Sequence, residues 1–402
     1  MRTGLMQWLL VEVFYCLHVL TLTAYAIGSN ELQKSLDLSS IQMGSLAAAF
    51  FVAFGLSQLF VGSQLGSRPN RWMIGGAAAV ATFGALLLLI SDNFASALVA
   101  RLLMGAGVGN AFVSTVHVVS ERFPERFPLM TNISQALANL SGAVIGVAIP
   151  WLPAFNDIST SYQLGFILLL IDTGLILVFC RDGRSTSKAA KATTRQDESV
   201  FFKAKRILSL QPFWSSMLFF AGLFGSYLSF AEVWNIQFQI EVFHESTNYA
   251  PLINTAVILG LAIGSLISGA VADRIGHVWP ARVGAGVGLS MLILLFSGIL
   301  PLWIAIVALL LLGLGMGTAS LGLTSLRCHV PASEFSLASS LLLTGVFISA
   351  GILSASVGVS AGDLSRETGT FSHYQQSLAW FIGFAGMALT ASITMRPQAT
   401  ET

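Results

Sequence analysis

The sequence predicts an all-α membrane protein with twelve transmembrane helices in two six-helix halves, and three observations carry that prediction. Of 402 residues, 54% are hydrophobic and only 10% are charged. A soluble domain carries about a quarter charged residues, so this chain cannot clothe a water-facing surface and its solvent is lipid. The apolar residues gather into twelve runs, each of about the 20 residues that a bilayer core demands. The basic residues fall on alternate loops between those runs. Strands are excluded, because lipid offers no partner to an open sheet edge and the runs are too long for barrel strands.

In chain order the runs lie near 8–28, 41–63, 72–91, 94–118, 129–152, 162–180, 212–238, 250–272, 282–300, 302–325, 335–360 and 376–395. One set of loops holds Arg2, Arg68, Arg71, Arg122, Arg126, Arg274, Arg282, Arg327 and Arg396, with eight more basic residues in 181–206. That is 17 of the 20 basic residues; the opposite loops hold Lys34 and Arg366, and Arg101 lies inside a run. By the positive-inside rule both termini and the central linker are cytoplasmic. Ala24-Tyr25-Ala26 has the form of a signal-peptidase site. The run before it is long, carries Glu12 and His18, and precedes many more, so the first helix is expected to stay uncleaved.

Residues 181–211 mix Ser, Thr, Ala and Lys without an apolar period, then turn amphipathic at Phe201-Phe202-Lys203-Ala204-Lys205-Arg206-Ile207-Leu208. A flexible tether ending in a short helix on the cytoplasmic interface is expected there. It divides the chain into halves at 1–180 and 212–402. The halves also match each other. Leu102-Leu103-Met104-Gly105-Ala106-Gly107-Val108-Gly109 returns as Leu310-Leu311-Leu312-Gly313-Leu314-Gly315-Met316-Gly317, and Pro124 and Pro331 follow the two copies. Markers in the same order in both halves indicate a parallel repeat, with the halves related by a pseudo-two-fold.

Net charge is +1, which argues against a nucleic-acid partner. Cys16, Cys180 and Cys328 are scattered without metal spacing, and no disulfide framework is expected. The Gly runs sit inside helices with no strand before them, so they read as close-packing surfaces and not as nucleotide cradles. No nucleophile–base pair, metal cluster or ATP motif emerges, so an enzyme, a cofactor and a bound metal are not expected.

One stretch organises the rest. Gly269-Ala270-Val271-Ala272-Asp273-Arg274-Ile275-Gly276-His277 separates two apolar runs, and a degraded copy stands at Gly62-Ser63-Gln64-Leu65-Gly66-Ser67-Arg68-Pro69-Asn70-Arg71. The first resembles the signature loop of major facilitator superfamily transporters, G-x-x-x-D-R-x-G-[RH]. Arg101-Leu102-Leu103-Met104-Gly105-Ala106-Gly107 is similar to that superfamily's fourth-helix motif. Ile41-Gln42-Met43-Gly44-Ser45-Leu46, Gln58-Leu59-Phe60-Val61-Gly62, Phe123-Pro124-Glu125-Arg126-Phe127, Trp234, and Leu259-Gly260 with Ile263-Gly264 resemble the anion:cation symporter and organophosphate-type branches. The chain departs from the organophosphate carriers in lacking an Arg in spans 1 and 7, which puts a phosphate-ester substrate in doubt. In span 5, Gly142-Ala143-Val144-Ile145-Gly146 is followed by Val147 where drug exporters carry Pro. The resemblance implies the twelve-helix fold of that superfamily, with spans 1, 4, 7 and 10 lining a central cavity.

It also implies a gate. The motif's Asp faces the start of a helix in the opposite half, where a carboxylate gains about 0.3–1 kcal/mol when exposed. Here that places Asp273 against the start of span 5, near Phe127 to Thr131, and lets Arg274 pair with Glu121 or Glu125. The degraded copy keeps Arg71 but has Gly66 where the Asp belongs, so a one-sided latch is expected.

Charges within a bilayer cost perhaps 2.5–3.5 kcal/mol each, so those present need a reason. Glu12, Arg101, Asp172 and Glu232 lie in spans 1, 4, 6 and 7. Tyr15, His18, Leu22 and Tyr25 fall on a broad face of span 1 with Glu12 one turn from Tyr15, and Glu12 and His18 are the proton-coupling candidates. Snorkelling to the cytoplasm is the open alternative for Glu12. Arg101 either binds an anionic substrate group or acts as counter-ion to Glu12 or Glu232. Glu232, Asn235 and Gln239 share a face of span 7 beside Trp234, suited to a cationic group or to a solvated outer vestibule. Asn132, Gln135 and Asn139 stripe span 5, with Asn139 deepest. Asp172 reads as a helix–helix hydrogen bond and His117 as interfacial.

The sequence thus points to a secondary transporter of the bacterial inner membrane, a monomer working by alternating access on a small polar metabolite, carboxylate-bearing or zwitterionic, with protons as the simplest coupling ion. A drug or amphiphilic-cation:proton antiporter and a non-transporting solute sensor stand as alternatives.

Overall fold

A computed structural model describes residues 2–64, 70–123, 127–148, 158–180, 200–297, 300–331, 334–363 and 371–395. Helices occupy every predicted run: α1 (Arg2–Ser35), α2 (Ser40–Gln64), α3 (Asn70–Leu89), α4 (Phe94–Val108, resumed as Ala111–Arg122), α5 (Phe127–Ala148) and α6 (Ile158–Phe179). The second half follows as α7 (Gln211–Val242), α8 (Tyr249–Ile275), α9 (Val278–Phe296), α10 (Leu302–Arg327), α11 (Phe335–Asp363) and α12 (Phe371–Thr394). Among the described residues, 11 helices are long and apolar enough to cross a membrane, and α5 lies on the remaining run.

Local sequence explains where helices start. Ser39 and Gln42 cap α2 reciprocally, the Ser39 N–H donating to Gln42 Oε1 at 2.9 Å and the Gln42 N–H to Ser39 Oγ at 3.2 Å, a capping box that satisfies two orphan donors. Asn93 caps α4 by accepting from the Ser96 N–H at 3.0 Å. The linker helix (Val200–Leu208) is docked onto the second half: Ile207 is fully buried in a core with Phe213, Leu326 and Ala338, and Arg206 pairs with Glu334 at the start of α11. Phe202 stays exposed on its other side.

The repeated Gly run shows why the two halves fold alike. A Cβ on Gly105 would stand 2.2 Å from the Phe50 carbonyl of α2, and one on Gly313 would stand 2.2 Å from the Val257 carbonyl of α8. Gly107 in the same way meets α3 at Ala81, and Gly315 meets α9 at Gly284. Without a solvent-driven hydrophobic term between helices in lipid, such small residues let backbones approach and gain dispersion contact. The close-packing reading of these glycines therefore holds, and the pairs α2–α4 and α8–α10 are equivalent across the repeat.

Between the halves the principal seam is α2 on α11. Gly44 lies on the Ser354 carbonyl and Gly358, Thr344 Oγ1 donates to the Gly55 carbonyl at 3.0 Å, and the Phe54 and Phe347 rings stand 4.0 Å apart. A second contact joins α1 and α7 near the end of the bundle where α1 finishes, called the outer end here. There Ala26, Ile27, Ile236 and Ile240 share an apolar cluster, and Gln237 Nε2 reaches Ser29 Oγ at 3.5 Å. Helix α8 also packs against α5.

Candidate solute site

Arg101 is a fully buried charge. Its side chain is 0% exposed, although it sits inside an apolar helix. The guanidinium carbon lies 3.8 Å from the ring centre of Tyr25 on α1 and 4.2 Å from that of Phe50 on α2. Two aromatic faces thus replace part of the lost hydration by cation–π attraction. Nε donates to the Leu46 carbonyl at a long 3.5 Å, while Nη1 and Nη2 have no partner. The Tyr25 hydroxyl and that of Tyr162, on α6, are also buried without a partner, and Tyr162 is close enough to interact electrostatically with Arg101. A small cavity beside Tyr25 and Tyr162 has a volume of about 20 Å³, room for a single water. Gly105, one turn from Arg101, is what lets α4 approach Phe50 closely enough to form the box. The repeat-related position in the second half is Leu309, fully buried and apolar, so the charge belongs to one half alone.

Of the two roles open to Arg101, the counter-ion pairing is not seen among the described residues. No carboxylate pairs with Arg101 among the described residues; Glu12 and Glu232 have other neighbours. Glu12 is 3% exposed on α1. Its Oε1 accepts from Cys16 Sγ at 3.9 Å, Oε2 has no partner, and Ser134 of α5 is within its reach. Ser134 Oγ in turn accepts from Trp8 Nε1 at 2.9 Å. His18 is buried with Nδ1 unpartnered, between Tyr15, 6.3 Å away, and Phe54, 5.0 Å away. Because Phe54 touches Phe347, His18 communicates by ring contacts with the seam between halves. Tyr15 also meets Phe112 of α4 at 5.5 Å.

Across the seam, α7 is not a regular helix. It contains two π-helical turns, Ala221–Gly225 and Phe230–Trp234, around a single α-helical turn. A π turn frees a carbonyl and advances the register, and such turns cluster at functional sites. Glu232 lies within the second one, buried, with Oε1 accepting from the Tyr227 hydroxyl at 2.9 Å and Oε2 unpartnered. Trp234 Nε1 is buried and unpartnered as well. Asn254 of α8, a residue the sequence did not single out, donates from Nδ2 to the Ala231 carbonyl at 2.9 Å and accepts from Asn235 Nδ2 at 2.7 Å. Gln239 Nε2 donates to Asn235 Oδ1 at 3.1 Å. Glu232 is therefore separated from the Asn235–Gln239 pair, with which a regular helix would group it. Its burial also rules out the solvated outer vestibule in this conformation.

Among the other expected site residues, Asn139 is half-buried on α5, while the side chains of Asn132 and Gln135 lie outside the described residues. Asp172 is buried with neither oxygen bonded; the helix–helix bond expected of it is made by its neighbour, Thr173 Oγ1 to Thr82 Oγ1 at 2.9 Å. In the gate, Glu125 and the Asp273 side chain lie outside the described residues. Of the two partners open to Arg274, Glu125 lies outside the described residues and Glu121 is not engaged by it: Arg274 is exposed, and Glu121 faces His117 on its own helix at 3.6 Å. Arg71 turns to α6, donating to the Val178 carbonyl at 3.5 Å beside Trp72.

Comparison with known proteins accounts for this architecture. The model of the Major Facilitator Superfamily matches residues 13–354. The gentisate transporter of Corynebacterium glutamicum is 25% identical over 326 residues, 78% of this chain and 71% of that protein. The cyanate transport protein CynX of Escherichia coli (strain K12) is 29% identical over 243 residues, 59% of this chain and 58% of that protein, so the chain spans less than two thirds of this relative. Among solved structures, a bacterial homolog of the human lysosomal transporter Spinster, inward-facing and unoccupied, superposes with a TM-score of 0.76 at 15% identity, covering 98% of each chain. With a match over most of its length and a helical fold of the same kind, the chain belongs to the Major Facilitator Superfamily and is a multi-pass membrane transporter of small solutes, not an enzyme.

Proposed function

We propose that the protein is a secondary carrier of a small carboxylate-bearing solute in a bacterial inner membrane, acting by alternating access and coupled to protons. The observation that supports this best is Arg101: a guanidinium with no exposure and two unpartnered nitrogens, in a helix where an uncompensated charge costs about 2.5–3.5 kcal/mol. Tyr25 and Phe50 lie within 4.2 Å of the guanidinium carbon without hydrogen-bonding it, so the unpartnered Nη1 and Nη2 are its open donors. Such a pair of donors matches a planar carboxylate bidentately. The two named relatives carry gentisate and cyanate, both anions at neutral pH.

Proton coupling rests on the acids. Glu12 and Glu232 are buried, each has one oxygen unpartnered, and neither pairs with a cation among the described residues. They stand on α1 and α7, one on each side of the seam. Cargo arrives as an anion at a site already positive, and the acids carry the accompanying proton. The space beside Tyr25 and Tyr162 admits no more than a water with the outer end closed, so the solute enters Arg101's box when α1 and α7 part.

Counterflow in proteoliposomes tests this, with aromatic and aliphatic carboxylates set against neutral and cationic analogues at two pH gradients. Exchange of a carboxylate, abolished by Arg101→Gln, is expected, with uptake stimulated by an inward proton gradient in the wild type. Glu12→Gln and His18→Ala are expected to blunt that stimulation. Exchange confined to cations, or indifferent to Arg101→Gln, would overturn the substrate class; uptake equally indifferent to pH in wild type and variants would overturn the coupling.

A further inference from the structure

On the wall of the second half, α8, α9 and α10 enclose a groove of about 440 Å³, within the size range of small-molecule sites. Its walls are Ile267 of α8 and Trp279 and Val283 of α9, exposed by 54%, 63% and 59% although they lie in apolar spans. Its depth comes from Gly264, Gly284 and Gly315, one from each helix. The polar residues along it, Ser268 and Thr318, spend their hydroxyl protons on the Ser265 and Gly315 carbonyls. An occupant therefore finds no free donor inside, which suits a hydrocarbon chain and no polar solute.

The rim differs from the interior. The groove ends beside the signature loop, where Arg274 is exposed and makes no ion pair or hydrogen bond among the described residues. Arg282 adds a second positive charge while donating to the Ser392 and Ile393 carbonyls that end α12. Asp273 is the acid adjacent in sequence. Basic groups next to a membrane surface attract anionic headgroups, and a Trp at that level is the usual interfacial anchor. We infer that this groove is a binding site for an anionic phospholipid of the surrounding leaflet, one acyl chain lying between α8 and α9 and the phosphate held at Arg274. The site would place a lipid directly against the loop read as the gate.

Trp279 reports on the groove from within. The protein is reconstituted in vesicles of phosphatidylcholine containing increasing fractions of lipid brominated on the acyl chain, either phosphatidylglycerol or phosphatidylcholine. The Trp279 signal is the fluorescence lost in Trp279→Phe. Brominated phosphatidylglycerol is expected to quench it at about fivefold lower mole fraction than brominated phosphatidylcholine, the effect of one basic residue at the surface. Arg274→Gln should abolish that preference, and Val287→Phe, which fills the groove, should weaken quenching by both lipids. Equal quenching by the two headgroups in the wild type, or a preference that survives Arg274→Gln, would overturn the anionic-lipid site. Quenching untouched by Val287→Phe would overturn the groove as its seat. Displacement of the brominated lipid by an amphiphilic cation, but not by phosphatidylglycerol, would assign the groove to another ligand and overturn the inference too.

Discussion

Arg101 shows how much one residue decides. Its neighbours Tyr25 and Phe50 lie against the guanidinium, and its unpaired nitrogens are the groups a carboxylate needs. Lysine keeps the charge but has neither the flat face nor the bidentate edge. Arg101→Lys should therefore fold, yet raise the KM for a carboxylate substrate by roughly thirtyfold, the loss of about 2 kcal/mol expected for a charged hydrogen bond. Tyr162→Phe should raise KM less, because it removes a neutral hydroxyl. Transport kinetics in proteoliposomes separate the three proteins, and equal KM values would show that the anion is held elsewhere. The chemistry of this residue was legible from its place in an apolar run, since a charge in lipid must be explained. Its partners were not. Phe50 has nothing in the sequence to set it apart from its apolar neighbours in span 2, and Tyr162 sits at the start of a helix that is not among the cavity-lining spans the family resemblance implies.

At the scale of the element, α4 and α7 teach opposite lessons. In α4 the repeated Gly spacing announced close packing before any contact was known, because only a missing Cβ lets two backbones meet at that distance. Gly105→Ala should cost about 1–3 kcal/mol through overpacking against the Phe50 carbonyl. A lowered melting temperature in detergent, together with loss of the Arg101 box, is the expected result. In α7 a regular 100° wheel misplaced the groups, because the π turns at Ala221–Gly225 and Phe230–Trp234 shift the register and leave the Ala231 carbonyl to a neighbouring helix. Asn254 takes that carbonyl, a lone amide in an apolar run that could have been noticed in span 8 by the same reasoning applied to span 5. Asn254→Leu leaves the Ala231 carbonyl and the Asn235 amide without partners, at about 1–3 kcal/mol for each buried group. The expected consequence is a straightened α7 and a rise in thiol labelling at a Gln237→Cys reporter. Unchanged labelling would mean that the π turn holds its shape without Asn254.

For the whole molecule, the twelve runs, the alternating basic loops and the duplicated Gly run left little freedom in the fold, because lipid penalises any backbone that is not helical. How the halves stand relative to one another had no comparable signal, since it depends on which of two near-equal packings is populated. In this structure α1 and α7 meet at the outer end through Ala26, Ile27, Ile236 and Ile240, and Gly44 and Gly55 of α2 lie along α11. At the opposite end Arg274 reaches no carboxylate among the described residues, and Glu121 lies 3.6 Å from His117. The α1–α7 contact closes the bundle at its outer end. Alternating access predicts that the small Ala26–Ile236 contact breaks in every cycle while the longer α2–α11 seam persists. A protein carrying Ala26→Cys and Ile236→Cys, with the three native cysteines replaced, should be joined rapidly by a short bifunctional thiol reagent in the absence of solute. Counterflow should fall to the background of empty vesicles once joined and return if the cross-linker is cleavable and is cut. Cross-linked protein that still exchanged solute at the full rate would show that α1 and α7 never separate there, and the outer gate would have to be sought where α5 packs on α8.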